Sequence, residues 1–190
     1  LIDPRPATIE SARSILQPNE ALITTYVGSE RTFVWAIPAV GPTAFSVAEF
    51  GDDALAEAVA SVRAALEPNA ATLGDIPPFD VAGAHALYQA LLEPVKAGWG
   101  GAKSLLVVAH GPLGYLPLSL LPTKAVDVAA TAPLFSGYRD VPWLVRDHAV
   151  TVLPSVASLR TLRALPAGPA TRKTFVGFGD PYFNKEQEIE

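Results

Sequence analysis

At 190 residues the chain is long enough for one ordinary domain with a substantial core, and its 49% apolar against 17% charged residues exclude a disordered protein. A net charge of −5 excludes a general nucleic-acid binder, because nothing here would neutralise phosphates in bulk. The mean hydropathy of +0.27 is high for a soluble domain. No apolar run approaches the roughly 18 residues that span a bilayer, so no membrane partner is expected and the apolar excess reads as surface that wants a protein partner.

The sequence contains no cysteine, which removes disulfides, thiolate metal sites and any cysteine nucleophile within these residues. It contains no methionine either, and "LIDPRPATIE" holds neither an initiator nor a signal peptide. The expectation is a piece of a longer protein, with a cytoplasmic location following from the missing signal. The only basic cluster is Arg160, Arg163, Arg172 and Lys173, which reads as ordinary solvated surface.

In chain order, "TIESARSIL" (8–16) predicts a short helix capped by Thr8. "EALITTYVGSERTFVWAIP" gives two β-rich runs either side of Gly28-Ser29-Glu30, a hairpin pattern with Tyr26, Phe33 and Trp35 as bulky strand residues. "TAFSVAEF" predicts a third short strand. "GDDALAEAVASVRAALEP" predicts an amphipathic helix capped at Asp52 and stopped by Pro68, with Leu55, Val59, Val62 and Leu66 on its inner face. A proline-bearing loop, "GDIPPFD", leads to a second helix over about 81–92 with Leu87, Leu91 and Leu92 inward, ended by Gly98, Gly100 and Gly101.

"KSLLVVAH" has the uninterrupted apolar character of a strand buried in a parallel sheet. Residues 122–142 lack periodicity and read as an internal loop. "WLVRDHAVTVLP" predicts a strand, "SVASLRTLRAL" a helix capped by Ser155, and "KTFVGFGDP" a further strand. The alternation of strand and helix after the opening hairpin indicates a single α/β domain over 1–190 with a mostly parallel sheet.

Motifs that carry chemistry are scarce. "GWGGAKS" (98–104) fails as a phosphate loop, because Ala102 rather than glycine precedes Lys103 and a strand follows where a helix is needed. "GFGDP" (177–181) lacks the third glycine and the helix of a dinucleotide fingerprint, and reads as a tight turn. There is no G-x-S-x-G nucleophile elbow. The histidines at 85, 110 and 148 have no metal-ligand spacing, so no metal and no cofactor are expected. His85, one turn before Tyr88, and His148, placed within a strand, read as packed or hydrogen-bonded structural residues. His110 alone stands at the end of a buried strand, where α/β sheets place their ligands. A catalytic histidine also needs a nucleophile to deprotonate, and Ser119, Ser136, Ser155 and Ser158 have no distinguishing context.

Five phrases in order, "PNEALITTYVGSERTFVWAI", "LYQALLEPV", "KSLLVVAHGPLGYLPLSLLP", "WLVRDHAVTVLPSVASL" and "FVGFGDPYF", resemble the CHAT domain. These are caspase-like and separase-like peptidase domains, often attached to tetratricopeptide repeats. The resemblance covers nearly the whole chain from Pro18 to Phe183, and "GPLGYLP" after a strand is its most specific part. It implies a caspase-like α/β sandwich and, for complete active members, cysteine-dependent peptide hydrolysis with a histidine as general base. It also implies that the family's catalytic histidine belongs to a later "A-T-H-G"-type strand end and its cysteine to a still later "S-A-C"-type one. His110 aligns with the earlier "GPLHYLP"-type segment, to which no catalysis is assigned, so no catalytic residue carries over.

The expected protein is therefore the N-terminal portion of a CHAT domain with the last strands of the fold missing. It would scaffold an active site supplied by downstream sequence, and pair with the remainder of the same domain or with another copy. A protein or peptide would be the substrate of the complete enzyme. Two other readings compete: a pseudo-enzyme or interaction module without a catalytic dyad, and a small hydrolase using His110 with a serine.

Overall fold

The structure is a computed structural model and describes residues 7–128, 135–166 and 168. The strand expected in "KTFVGFGDP", the "GFGDP" turn, Arg172 and Lys173, and residues 129–134 of the 122–142 loop lie outside the described residues.

The elements follow in the order α1 (Ile9–Arg13), β1 (Glu20–Val27), β2 (Thr32–Pro38), β3 (Ala44–Ala48), α2 (Asp52–Arg63), α3 (Val81–Leu91), β4 (Ser104–Val108), β5 (Ala149–Val152) and α4 (Val156–Ala164). Short 3-10 turns fill the long connections, among them Gly111–Tyr115, Leu118–Leu120, Ser136–Asp140 and Leu144–Arg146. The five strands form one sheet in the order β3-β2-β1-β4-β5. β1, β4 and β5 run parallel, while β2 and β3 add an antiparallel meander to the free side of β1. The opening hairpin is thus part of the sheet, and β1 joins its antiparallel and parallel halves. This is an α/β architecture of caspase-like kind.

The period-two alternation of the strands divides the apolar residues between two faces. Ala21, Ile23, Val34, Ala36, Leu105 and Val107 point to one face and meet Leu55, Val59 and Val62 of α2 and Leu87 and Leu91 of α3. Leu22, Ile37 and Leu106 point to the other and meet Ala12 of α1 and Leu159 of α4. The sheet is therefore covered on both sides, as a parallel β1-β4-β5 core demands. Among the described residues no helix is long and apolar enough to cross a membrane.

Three expectations are corrected in detail. Asp52 is the first residue of α2 and not its cap; Gly51 holds the cap position without a side-chain bond. A Cβ there would stand 2.1 Å from the backbone oxygen of Ser29, so only glycine lets the helix entrance lie against the hairpin turn. Asp52 and Asp53 instead place negative charge at the positive end of the helix. Leu66 is not on the inner face: α2 ends at Arg63, and Leu66 lies beyond it, exposed.

The expected strand over 143–154 is likewise shorter. Leu144–Arg146 form a 3-10 turn, and β5 begins only at Ala149. That turn is held because Leu144 is buried, its N–H donates to Leu121 O at 2.9 Å, and Arg146 Nε donates to Val141 O at 2.9 Å. His148 consequently precedes β5 rather than lying within it.

Candidate functional site

The parallel strands deliver their C-terminal ends to one edge of the sheet, the position at which open α/β sheets bind ligands. β4 ends at Val108, and His110 caps the 3-10 turn that follows. Gly111 takes φ +60°, a left-handed conformation that glycine accepts without strain, and so turns the chain back along α2. The His110 N–H donates to Thr25 Oγ1 at 3.0 Å, and the imidazole stacks on Tyr26 with centroids 5.0 Å apart.

The ring chemistry decides what His110 can do. Its Nδ1 accepts a hydrogen bond from the backbone N–H of Val27 at 3.1 Å. A backbone amide can only donate, so Nδ1 carries the lone pair and the proton of the neutral ring sits on Nε2. A general base needs the opposite arrangement, with Nδ1–H donating to an orienting acceptor and Nε2 free to take a proton. His110 ties the end of β1 to the end of β4 and is not poised as a base. His85 and His148 show the opposite tautomer: their Nδ1 atoms lie 2.9 Å from Pro122 O and 2.7 Å from Ala102 O, and carbonyls can only accept. Both rings are half-buried and packed on aromatic neighbours, His85 on Tyr88 and His148 against Trp99. His85 ties the chain at Pro122 to α3, and His148 ties the residue ahead of β5 to Ala102 ahead of β4.

Of the four serines considered, Ser155 caps α4 by accepting from Ser158 N at 3.0 Å, and the two hydroxyls bond each other at 2.9 Å. Ser119 lies in the 3-10 turn Leu118–Leu120 and Ser136 opens the turn Ser136–Asp140. Among the described residues no group of three or more His, Cys, Asp or Glu side chains could hold a metal ion. Arg163, expected on ordinary solvated surface, is instead half-buried: its guanidinium reaches both carboxylate oxygens of Glu20 at 2.6 and 2.7 Å and also donates to Ile15 O.

Among the described residues the strongest electrostatic perturbation lies away from the C-terminal edge. Burial, with the neighbouring Glu93 carboxylate adding to it, pushes the Tyr88 hydroxyl far above the ordinary tyrosine value. The two groups stand close without meeting hydrogen-bond geometry, and Tyr88 Oη is buried with no partner that does. Glu93 is in turn held below its usual value, first by the facing Tyr88 hydroxyl and then by the Lys96 ammonium 3.3 Å away.

Two surfaces have the character of binding sites. The end of the sheet face left uncovered by α1 and α4 carries a platform of five rings, His110, Tyr26, Phe33, Trp35 and Phe45, with neighbouring centroids 5.0 to 6.4 Å apart. Tyr26 is 55% exposed and Phe45 52%. The second is an apolar cavity of about 250 Å³ beyond the end of α2, walled by Phe79, Leu120, Tyr138 and Trp143 among others. A shallow groove of about 680 Å³ also runs between α2 and the Gly111–Tyr115 turn, past Ala56, Ala60, Arg63 and Tyr115. The sequence shows the bulky strand residues, but only the register Tyr26↔Phe33 and Trp35↔Phe45 makes them one surface. The cavity residues come from four separate segments, so no local pattern announces them.

The buried strand followed by the Gly111–Tyr115 turn, and the chain continuing through β5 and α4, are the parts that a family comparison recognises. The model of the CHAT domain matches residues 81–189, more than half of the chain. Comparison with curated proteins and with solved structures finds no match. Taken with the α/β sheet and its two covered faces, the chain belongs to the CHAT domain family of caspase-like peptidase kind.

Proposed function

We propose that these residues are the non-catalytic N-terminal part of a CHAT-type cysteine peptidase, scaffolding an active site whose histidine and cysteine lie elsewhere in the complete protein. The observation that carries this reading is the Val27 N–H bond to His110 Nδ1, which withdraws the one well-placed histidine from general-base chemistry. The absence of cysteine supports it, since the nucleophile of such a peptidase must then come from outside these 190 residues. The partners that follow are the remainder of the same domain or another copy of the chain, with a protein or peptide as substrate of the complete enzyme.

The alternative is a pseudo-enzyme or interaction module, and the five-ring platform, with Tyr26 and Phe45 more than half exposed, favours it, because aromatic side chains are common anchors of protein contacts. Thiol alkylation of the complete protein separates the readings. Peptide cleavage abolished by iodoacetamide supports the peptidase, and a complete protein that cleaves no peptide or protein substrate supports the interaction module. Cleavage that resists iodoacetamide and is blocked by a serine-directed phosphonate would overturn both and restore the hydrolase reading.

A further inference from the structure

The sheet ends on one side at β3, whose outer edge pairs with no strand among the described residues. Such an edge presents unpaired N–H and C=O groups, which folded proteins usually blunt with lysine, proline or a bulge. β3 carries none of the three. "AFSVA" is uncharged and free of proline, and its pairs with β2 run from Thr32↔Ala48 to Ala36↔Ala44 without a bulge. Phe45 and Val47, on the face of the ring platform, are 52% and 38% exposed.

An open backbone edge takes another extended strand as its partner. The sequence of β3 fits its own copy. Turned about a two-fold axis through Ser46, perpendicular to the sheet, two copies of β3 pair antiparallel with every residue matched. Phe45 then meets Val47 of the second copy and Val47 meets its Phe45, two aromatic–β-branched pairs on the platform face. On the other face Ala44 meets Ala48 and serine meets serine, all small. A shift of one residue would set large side chains against small ones on opposite faces. Two five-stranded sheets become one of ten strands, a size that open twisted sheets reach, with both ring platforms on one side.

Charge selects the same register. It places Glu49 of the second copy opposite Thr43, whose Oγ1 accepts from Arg13 Nη2 at 2.9 Å. Arg13 is half-buried, and its Nε is buried without a hydrogen-bond partner. Glu49 is 76% exposed, and Arg31 Nε reaches only one of its carboxylate oxygens, at 3.3 Å. Thr43, Phe45, Val47 and Glu49 alternate onto one face, the face that α1 covers through Ala12, so the cation and the carboxylate meet there twice by symmetry. We propose that the β3 edge is a contact between two copies of this chain, an antiparallel β3–β3 pairing centred on Ser46 and locked at each end by Arg13 of one copy and Glu49 of the other. The contact takes up the second-copy partner of the reading above and holds whether or not the complete protein cleaves peptides.

The test is sedimentation equilibrium of the complete protein, with thermal melting of each variant as the check on folding. The parent should form a concentration-dependent dimer. Val47→Lys, a change at an exposed edge position, should weaken it at least about tenfold. Arg13→Glu and Glu49→Arg should each weaken it about tenfold alone. An equimolar mixture of these two should dimerise as well as the parent, because unlike copies restore both contacts; a role for either residue within its own chain gives no such rescue. Ser46→Cys should form a disulfide dimer on oxidation, since opposed Cα atoms lie about 4.5–5.5 Å apart and a disulfide spans about 4.4–6.8 Å. Val40→Cys, 84% exposed and off the strand, should not. A monomer at every concentration, whether the edge stays empty or another segment of the chain fills it, overturns the proposal. So does a dimer that survives Val47→Lys, that the mixture fails to rescue, or that Val40→Cys crosslinks as readily as Ser46→Cys. None of these measurements uses substrate, so an inactive protein leaves the contact standing and a monomer leaves the peptidase reading standing.

Discussion

His110 Nδ1 accepts the backbone N–H of Val27 at 3.1 Å, joining the ends of two parallel neighbours, β1 and β4. The residue that looks most like a catalyst is thereby a fastener. Val27 is almost fully buried, so removing the acceptor leaves its N–H without a partner in a place water hardly reaches. His110→Ala should destabilise the fold by about 1–3 kcal/mol, read as a lower urea midpoint with unchanged slope. Ring 15N shifts of neutral His110 should report a protonated Nε2; a protonated Nδ1 would contradict the assignment.

The Glu20–Arg163 pair ties α4 to the first residue of β1, and its side chains are only 12% and 26% exposed. Gln17 N–H and the Arg163 guanidinium both donate to this carboxylate, so truncating the arginine strands a partly buried charge. Arg163→Met should cost about 2 kcal/mol, between the 0–1 kcal/mol of exposed pairs and the 3–5 kcal/mol of broken buried ones. Arg31→Met breaks the pair with Glu49, whose members are 58% and 76% exposed, and should cost less than about 0.5 kcal/mol. Equal losses in the two variants would show that Arg163 is surface after all.

Of the glycines of "GWGGAKS", Gly98 serves packing. A Cβ on Gly98 would stand 2.5 Å from the backbone oxygen of Ala36 in β2, which cannot retreat from the centre of the sheet, whereas one on Gly101 meets nothing within 4 Å. Gly98→Ala should destabilise by about 1–3 kcal/mol, and Gly101→Ala should stay within about 0.5 kcal/mol of the parent in thermal or urea unfolding.

Tyr88 gives the fold an alkaline limit. Its hydroxyl is pushed above the ordinary value of 10.0 by burial first and Glu93 second, so the folded state keeps a proton that the unfolded chain releases. The associated stability is fully present below about pH 10 and is lost as pH rises through the folded value. Urea stability should therefore fall as pH rises through about 10 toward about 11, and Tyr88→Phe should flatten part of that fall. Since Tyr88 Oη lacks a partner in hydrogen-bond geometry, the substitution itself should cost less than about 1 kcal/mol at neutral pH.

Local patterns carried the fold far. Thr8 and Ser155 cap their helices as the sequence indicates, the hairpin turns at Gly28–Arg31, and "SLLVV" is the strand between two parallel neighbours. The misreadings arose where a distant contact outweighs a local preference. Asp52 has the chemistry of a cap, but the hairpin oxygen of Ser29 admits only Gly51 at that position. Residues 144–146 have strand propensity, yet Leu144 is drawn under the Leu121 carbonyl and closes a turn. At the candidate site, spacing shows that His110 ends a buried strand; the direction of its hydrogen bond with Val27, 83 residues away, exists only in the folded chain. The cavity walled by Phe79, Leu120, Tyr138 and Trp143 was illegible for the same reason, since nothing but tertiary structure brings these segments together.

The most direct test of a scaffold without chemistry is the peptidase turnover of the complete protein carrying His110→Ala, measured below the variant's melting temperature. Retained kcat, within about threefold of the parent and still abolished by iodoacetamide, is the predicted result. A loss of about 10³-fold or more in kcat with the fold intact by melting would make His110 the base and contradict the assignment of a purely structural role.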